Sequence, residues 1–269
     1  MLLAKRQKQI PERLSHYTGI EALKSILSDI EGKGICFWAF SNRSKNDDQE
    51  IMMGEYMLNR VLEVLPSSGF SLLKHFGGYE NSASISFMEG EVNQHMLKEY
   101  GCFRLEFDLR NLGIGIFTEG LVDCEYVANK ELKEYADEYC EMIYKKYCSI
   151  IDIQKKYGKS SPFVLSYIEE NIEMEIDIMQ KVFCLKEKKW SEEMEWRKVF
   201  KLKKDDSNVH FLEEKPYIKY YFDKELLTGI SIFCSDVSLD TAKKDADDIL
   251  DYISERGYKA RVEIKNIDN

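Results

Sequence analysis

A β-strand is predicted by the stretch Glu195-Trp196-Arg197-Lys198-Val199-Phe200. Successive side chains of a strand point to opposite faces of its sheet, so Glu195, Arg197 and Val199 share one face and the residues between them point the other way. A glutamate held on a strand beside an arginine can stabilise a developing cation in a partly dehydrated cleft. An ordinary ion pair on a solvated face is the alternative interpretation of Glu195 and Arg197.

The rest of the chain alternates between short apolar segments and amphipathic helical patterns. Strands are predicted at 35–40, 83–87, 102–109, 122–127, 229–235 and 258–264, and helices at 51–65, 91–99 and 240–256. In residues 129–183, by contrast, apolar side chains recur at helical spacing with few breakers, which predicts two long helices joined by a turn near Pro162. We therefore predict one α+β domain spanning 1–269, with a mixed sheet and a helical hairpin inserted at about 129–183; two separate domains are the alternative.

The composition excludes several classes of protein. The 269 residues are 44% hydrophobic and carry 38 Lys and Arg against 48 Asp and Glu, a net charge of −10. A chain this apolar folds around a core, and its acidity argues against broad non-specific binding to nucleic acid or to anionic membranes. Because no apolar run is long enough to span a bilayer and the first residues lack a signal peptide's apolar core, we predict a cytoplasmic protein without a membrane partner. The seven cysteines are scattered, so reduced thiols are expected.

One window departs from this acidity. Residues 181–204 contain nine Lys or Arg and four Glu, a local excess of positive charge. Such a window can attract a phosphate-bearing ligand or nucleic acid. Lysines that protect solvated strand edges are the alternative explanation.

A second candidate site lies near the start of the chain. Thr18 and Glu21 have the spacing of a capping box, which predicts a helix start directly after His16 and Tyr17. The free N–H groups and the positive end of the helix dipole could then hold a phosphate beside these two side chains. A structural histidine bonded to the backbone is the alternative interpretation of His16.

The polar stretch Asn46-Asp47-Asp48-Gln49-Glu50 predicts a loop. Its carboxylates could bind a divalent cation, and a metal-dependent phosphodiesterase using Asp47 and Glu50 is a third hypothesis. The spacing does not match an EF-hand, however, and Asp and Asn are normal turn residues. We therefore expect no metal.

The order of five short motifs resembles that of an uncharacterised bacterial domain family, a domain of unknown function that has been likened to the ADP-ribosyltransferase fold. The resemblance covers about 12–265 and implies a split mixed sheet of ADP-ribosyltransferase type. The motifs are His16-Tyr17-Thr18, Asn46-Asp47-x-x-Glu50, Ser84-x-Ser86-Phe87, Tyr100-Gly101 and Glu195-Trp196-Arg197.

The resemblance also implies roles for individual residues. His16 would bind the adenosine ribose of NAD, and Glu195 would bind the nicotinamide ribose and stabilise the oxocarbenium-like transition state. Tyr100 would stack on nicotinamide, and Arg197 would orient Glu195 or pair with the pyrophosphate. Neighbouring motif residues are assigned to NAD (Tyr17, Thr18) and to the substrate (Asn46, Asp47, Glu50).

The function implied is ADP-ribosyl transfer from NAD, as co-substrate, to an unknown protein or nucleic-acid acceptor, or NAD hydrolysis, in phage defence or toxin-type conflict. The sequence departs from the family pattern beside Tyr100-Gly101. Leu97 stands where the family usually has tryptophan, and the glycine-bearing loop that normally follows is missing. A non-catalytic nucleotide- or nucleic-acid-binding module on the same fold is therefore the alternative.

Overall fold

The computed structural model describes residues 9–28, 32–42, 48–65, 82–92, 94–111, 120–157, 174, 176–202, 207–234 and 239–266. Its strands are β1 (Arg13–Thr18), β2 (Ile35–Phe40), β3 (Ser82–Met88), β4 (Phe103–Asp108), β5 (Leu121–Asp123), β6 (Glu125–Val127), β7 (Leu185–Glu187), β8 (Glu195–Lys201), β9 (Val209–Leu212), β10 (Lys215–Phe222), β11 (Leu227–Cys234) and β12 (Arg261–Asn266). Its α-helices are α1 (Ile20–Ile26), α2 (Asp48–Val64), α3 (Gln94–Tyr100), α4 (Leu132–Tyr157) and α5 (Leu239–Glu255), and residues 176–183 are also helical.

A seven-stranded sheet in the order β12-β11-β4-β1-β3-β8-β5 organises the molecule. Its neighbours pair antiparallel except β11 and β12, which are parallel and connected through α5. A three-stranded sheet, β2-β10-β9, and a parallel pair, β6-β7, accompany it. The predicted α+β class with a mixed sheet is therefore confirmed.

The large sheet is covered on one side and over part of the other. Face I, which carries His16, Phe87 and Trp196, packs against the three-stranded sheet, α1 and α5 in one apolar core. Face II, which carries Ser15, Ser86 and Glu195, is covered over β8 by α2, α4 and segment 176–183, and over β1 by α3. A covered position of a sheet is not solvated, so a charged residue there needs a partner.

Two helical pieces stand where the hairpin was predicted at 129–183. Helix α4 and segment 176–183 pack together through a shared apolar cluster that includes Tyr139, Ile143, Ile178 and Val182. The turn predicted near Pro162 lies outside the described residues. Helix α2 joins the same cluster, so these helices bury their apolar faces against each other and against the large sheet.

Three local predictions are wrong. The stretch 46–50 was predicted as a loop, but Asp48, Gln49 and Glu50 begin α2, where acidic residues suit the positive end of the helix dipole. Residues 122–127 form two strands, not one, because Cys124 N–H bonds the carbonyl of Glu195 and Glu125 N–H bonds that of Cys184, so the chain changes partners between sheets. The capping box does not form either. Thr18 ends β1 in register with Phe103, Gly19 is the N-cap of α1, and that cap has no side-chain hydrogen bond.

Gly101 packs directly against the β1–α1 junction. Its φ is +117°, and a Cβ there would lie 2.5 Å from the carbonyl oxygen of Thr18. Only glycine fits this approach without a shift of the backbone. The contact brings the Tyr100-Gly101 and His16-Tyr17-Thr18 segments together.

Replacing Gly101 with alanine should therefore destabilise the fold. We expect Gly101→Ala to lower the free energy of unfolding by about 2 kcal/mol or more, because it combines backbone strain with a clash. Gly19→Ser is the matched control, because a Cβ at Gly19 meets nothing within 4 Å and serine is a good N-cap. Urea unfolding measures both variants, and equal stabilities would contradict the close approach.

Candidate functional site

A cluster of buried charges lies on face II at the start of β8. The Arg197 Nε donates to Glu195 Oε1 at 2.7 Å, and Arg197 also donates from Nη2 to Oε2 at 3.1 Å. The two side chains are only 2–3% exposed. The predicted shared face is confirmed, but the pair is buried, so the alternative of an ion pair on a solvated face is wrong.

Two further residues complete this cluster, which we call the Glu195 network: Glu195, Arg197, Lys186 and Glu193. Lys186, from β7, donates from Nζ to Glu195 Oε2 at 2.6 Å and also pairs with Glu193. Glu193 ends the 3₁₀ turn 188–193, and Met194 then takes a left-handed φ of +43° before β8 begins. This kink lets Glu193 and Glu195, two residues apart, reach the same ammonium group.

The network contains two carboxylates and two cations, so its formal charges cancel. Burial nevertheless raises the pKa of Glu193, although the ammonium of Lys186 opposes that shift. His95 reaches the network from α3, with Nε2 3.9 Å from Glu193, and its ring stacks on Trp190 at 5.0 Å. The His95 side chain is 37% exposed and marks the solvent side of the network.

Backbone contacts fix the position of Glu195. Its N–H donates to the hydroxyl of Tyr126 at 2.8 Å, and its carbonyl accepts from the N–H of Cys124 at 2.8 Å. Burial raises the pKa of the Cys124 thiol, so this cysteine is not a reactive thiolate at neutral pH. Glu195 is therefore a rigidly held carboxylate.

His16 lies on the opposite face of the sheet. β1 and β3 share a single residue pair, Ser15 with Met88, and where the strands separate the Nδ1 of His16 lies 2.9 Å from the carbonyl of Ser86. The carbonyl can only accept, so Nδ1 carries the proton. The His16 ring packs edge-on against Phe37, and burial lowers its pKa. The structure thus does not bring His16 and Glu195 onto one face.

The other predicted site residues are dispersed. Tyr17 is buried under α3 on face II, and Thr18 is buried at the end of β1. Tyr100 is 53% exposed at the end of α3. Asn46 and Asp47 lie outside the described residues, and of Glu50 only the helical backbone in α2 is described.

The basic window at 181–204 is exposed only at Lys188 and Lys189 among its described basic residues. Lys186, Arg197 and Lys198 are buried, and Lys181 pairs with Glu125 and lies over the rings of Tyr135 and Tyr139. The side chains of Lys201, Lys203 and Lys204 lie outside the described residues. Much of the local positive charge therefore balances buried carboxylates.

A groove of about 1030 Å³ opens on face II over β1, β4, β11 and β12. Its basic lining residues are Arg13, Arg104, Arg261 and Lys265, and its acidic ones are Glu91, Glu106 and Asp108. Met88 also lines the groove, and in the β3–β8 register it pairs with Glu195. The groove thus begins one strand away from the Glu195 network.

Two of the groove's carboxylates already have cationic partners within the protein. Glu106 accepts from Ser231 at 2.7 Å and from Lys265 at 3.2 Å, and its pKa lies below its ordinary value despite the opposing effect of burial. Asp108 pairs with Arg110, which lowers its pKa to about 2. Both carboxylates therefore stay ionised at neutral pH and hold cations in place.

The guanidinium of Arg104 has hydrogen-bond partners for only some of its donors among the described residues. Its Nη2 donates to the carbonyl of Gly90 at 2.8 Å, whereas its Nε–H is buried and has no hydrogen-bond partner within the described part of the chain. A buried donor left without an acceptor costs about 1–3 kcal/mol. The Nε atom is inaccessible to solvent, so an acceptor on a ligand in the groove would remove that cost only after the Arg104 side chain turns toward it.

No direct signal in the sequence points to several of these residues. Lys186 and Glu193 belong to no motif, and they meet Glu195 only because β7 and the 188–193 turn fold back over β8. Arg104 was visible only as one polar position in an alternating strand. A general rule could have helped: a buried strand that carries both Glu and Arg needs further charged partners.

Among the described residues, no group of three or more His, Cys, Asp or Glu side chains could hold a metal ion. None of the helices in the described ranges is long and apolar enough to cross a membrane.

Comparison of the chain with protein-family models, with curated proteins and with solved structures finds no match in any of the three sets. The family resemblance of the motifs therefore stays a prediction.

Removing Lys186 should expose the cost of the buried carboxylates. We expect Lys186→Met to lower the free energy of unfolding at pH 7 by about 3 kcal/mol, because it leaves Glu193 without its ammonium partner. The exposed neighbour Lys188 provides the matched control, Lys188→Met, which should change stability by less than about 0.5 kcal/mol.

The deficit of Lys186→Met should also depend on pH. Losing the Lys186 ammonium raises the folded-state pKa of Glu193 further. The deficit in the free energy of unfolding is therefore largest at a pH where the Glu193 carboxyl of the wild type is ionised. As the pH falls toward 4.5, the ordinary pKa of this group, Glu193 becomes protonated in the folded state and the deficit should shrink. A deficit that is equal at pH 5 and pH 8 would contradict the ion-pair explanation.

Proposed function

We propose that the protein binds a phosphate-bearing nucleotide in the face II groove, with NAD as the first candidate. The observation that carries this proposal is the groove's lining of four cations, Arg13, Arg104, Arg261 and Lys265, of which Arg104 has a buried Nε–H without a hydrogen-bond partner among the described residues. Charged donors bind phosphate oxygens more strongly than neutral ones do.

The charges around the groove support an anionic ligand. The side chains of Arg13 and Arg261 are 73% and 61% exposed and lie 3.7 Å from Asp108 and 3.4 Å from Glu106, so each would exchange an exposed ion pair for a contact with the ligand. Arg104 and Lys265 lie deeper, beside the ionised Glu106. The four cations of the lining outnumber its three carboxylates by one, in a chain whose net charge is −10.

The size of the groove supports a nucleotide. Ligand sites usually enclose roughly 300–1,000 Å³, and the groove lies at the upper end of that range. Its floor includes the apolar side chains Met88 and Phe233, which can contact a base or a ribose while the arginines contact phosphate.

ADP-ribosyl transfer or NAD hydrolysis is a second proposal. It is favoured by the position of Met88, which lines the groove and pairs across the strands with Glu195. β1 and β3 share only one residue pair, so the sheet is almost split between these two strands. This also supports a split sheet of ADP-ribosyltransferase type. The implied cytoplasmic role in phage defence or toxin-type conflict belongs to this proposal.

Catalysis by Glu195 would require a rearrangement. Both of its carboxylate oxygens are occupied by Arg197 and Lys186, and its side chain is 2% exposed. A carboxylate that stabilises an oxocarbenium ion must contact the ribose. Turnover therefore requires Lys186 to release Glu195, and for this reason the present geometry supports binding more directly than it supports transfer.

Binding can be tested with ADP-ribose and NAD by isothermal titration calorimetry. We expect saturable binding that Arg104→Gln weakens about tenfold, because one charge-assisted hydrogen bond is lost. Arg256→Gln, at the end of α5, is the control and should bind like the wild type. The proposal fails if neither compound binds, or if the two variants bind equally well.

Transfer can be tested by nicotinamide release from NAD, with and without RNA, DNA and lysate protein as acceptors. If the second proposal holds, the wild type releases nicotinamide and Glu195→Gln does not, whereas Glu192→Gln, an exposed glutamate in the adjacent turn, is active. Equal release by the wild type and Glu195→Gln would refute the assigned role of Glu195.

A further inference from the structure

One stretch of the chain borders both the groove and the Glu195 network. It consists of residues 89–92, which follow β3, together with α3, and we call it the wall. Gly90 and Gln94 of the wall line the groove, whereas His95, the next residue of α3, lies 3.9 Å from Glu193. Consecutive residues of a helix project about 100° apart, so different sides of α3 meet the two sites.

Arg104 holds the wall from the groove side. Its Nη2 donates to the carbonyl oxygen of Gly90 at 2.8 Å. Its guanidinium also lies 5.9 Å from the centre of the Tyr17 ring, and Tyr17 packs with Met96 and Leu97 of α3. One cation of the groove thus reaches the wall directly at Gly90 and reaches α3 through Tyr17.

A ligand cannot bind the Nε–H of Arg104 without disturbing this contact. The guanidinium is a rigid plane, so Nε cannot turn toward a phosphate while Nη2 keeps its position. Arg104 therefore exchanges its bond to the Gly90 carbonyl for a bond to the ligand. The exchange removes one of the hydrogen bonds that hold the wall against β4.

Met194 holds the wall from the side of the Glu195 network. Its carbonyl accepts from the N–H of Glu89 at 3.0 Å, and its side chain lies so close to Gly90 that a Cβ there would collide with the Met194 Cε. Met194 is also the residue with a left-handed φ between Glu193 and Glu195. Movement of the wall therefore acts on the link between the two carboxylates.

We propose that the wall is a gate between the groove and the Glu195 network, and that a phosphate-bearing ligand opens it by drawing Arg104 away from Gly90. The open wall takes His95 away from Glu193 and uncovers the solvent side of the network. This inference rests on the proposed nucleotide site, and it supplies a route for the rearrangement that catalysis by Glu195 requires. A fixed wall would leave the network equally covered with and without a ligand.

Hydrogen exchange of the full chain, measured by mass spectrometry, tests the contact of Arg104 without a ligand. We expect Arg104→Gln to speed the exchange of peptides from 89–100 about tenfold, because the loss of one charge-assisted hydrogen bond favours the open wall. Arg261→Gln is the matched control. It also removes a guanidinium from the groove, but one on β12 that pairs with Glu106 and Glu263, so the wall should exchange at the wild-type rate.

ADP-ribose should have the same effect on the wild-type protein. At a concentration that calorimetry shows to be saturating, we expect faster exchange over 94–100 and over 188–194. A ligand that only covered the groove would slow exchange or leave it unchanged, because binding stabilises the closed state. Helix α5 serves as the internal reference and should exchange equally with and without ADP-ribose.

A variant outside the groove tests the coupling in the reverse direction. Binding and opening are linked, so a change that favours the open wall must also tighten binding. Met194 is exposed, and Met194→Ala removes the side chain that packs over Gly90. We expect this variant to bind ADP-ribose with a Kd about threefold lower than that of the wild type. Met52→Ala, at an exposed methionine of α2, is the control and should leave the Kd unchanged.

Two results would overturn the gate while the nucleotide proposal stands. In the first, ADP-ribose binds but the wall exchanges no faster, and in the second, Met194→Ala binds no more tightly than the wild type. If neither ADP-ribose nor NAD binds, the nucleotide proposal fails and the gate fails with it. Equal exchange of the wall in the wild type and Arg104→Gln would refute the contact of Arg104 as the element that holds the gate closed.

Discussion

The buried carboxylate of Glu195 is the constraint on which the rest of face II depends. It is 2% exposed, and Arg197 and Lys186 donate to its two oxygens, so they supply the partners that a buried carboxylate needs. Lys186 also pairs with Glu193, and His95 extends these contacts to α3. One set of charges therefore holds β7, the 188–193 turn, β8 and α3 together. Helix α3 also contributes Gln94 to the groove, so the network and the groove share a supporting element.

The elements that pack on the two faces of the large sheet leave different surfaces accessible on the two sides of the molecule. The helices on face II leave a groove over β1, β4, β11 and β12, and its lining includes Arg13, Arg104 and Arg261. The three-stranded sheet covers face I and presents its own outer side, where the aromatic rings collect. His16 lies between these two regions, inside the face I core. Its burial supports the alternative of a structural histidine that bonds the backbone across the gap between β1 and β3.

Local periodicity predicted most of the elements, because helix and strand patterns depend on neighbours in sequence. The strand at Glu195 and the helices at 51–65 and 240–256 are confirmed within a few residues. The capping box failed because Thr18 pairs with Phe103 in β1, a tertiary contact that overrides a local signal. The site was predicted only in part. Glu195 and Arg197 share a face as alternation required, but Lys186, Glu193 and Arg104 reach their positions through contacts between distant segments, which no spacing encodes.

A crystal structure of the protein with ADP-ribose bound would test the account most directly, because it locates the ligand relative to both faces of the sheet. The account predicts the diphosphate on face II, with an oxygen accepting from the Nε–H of Arg104 and the adjoining sugar or base near Met88. A ligand bound beside His16 on face I, with Arg104 making no contact to it, would contradict the account.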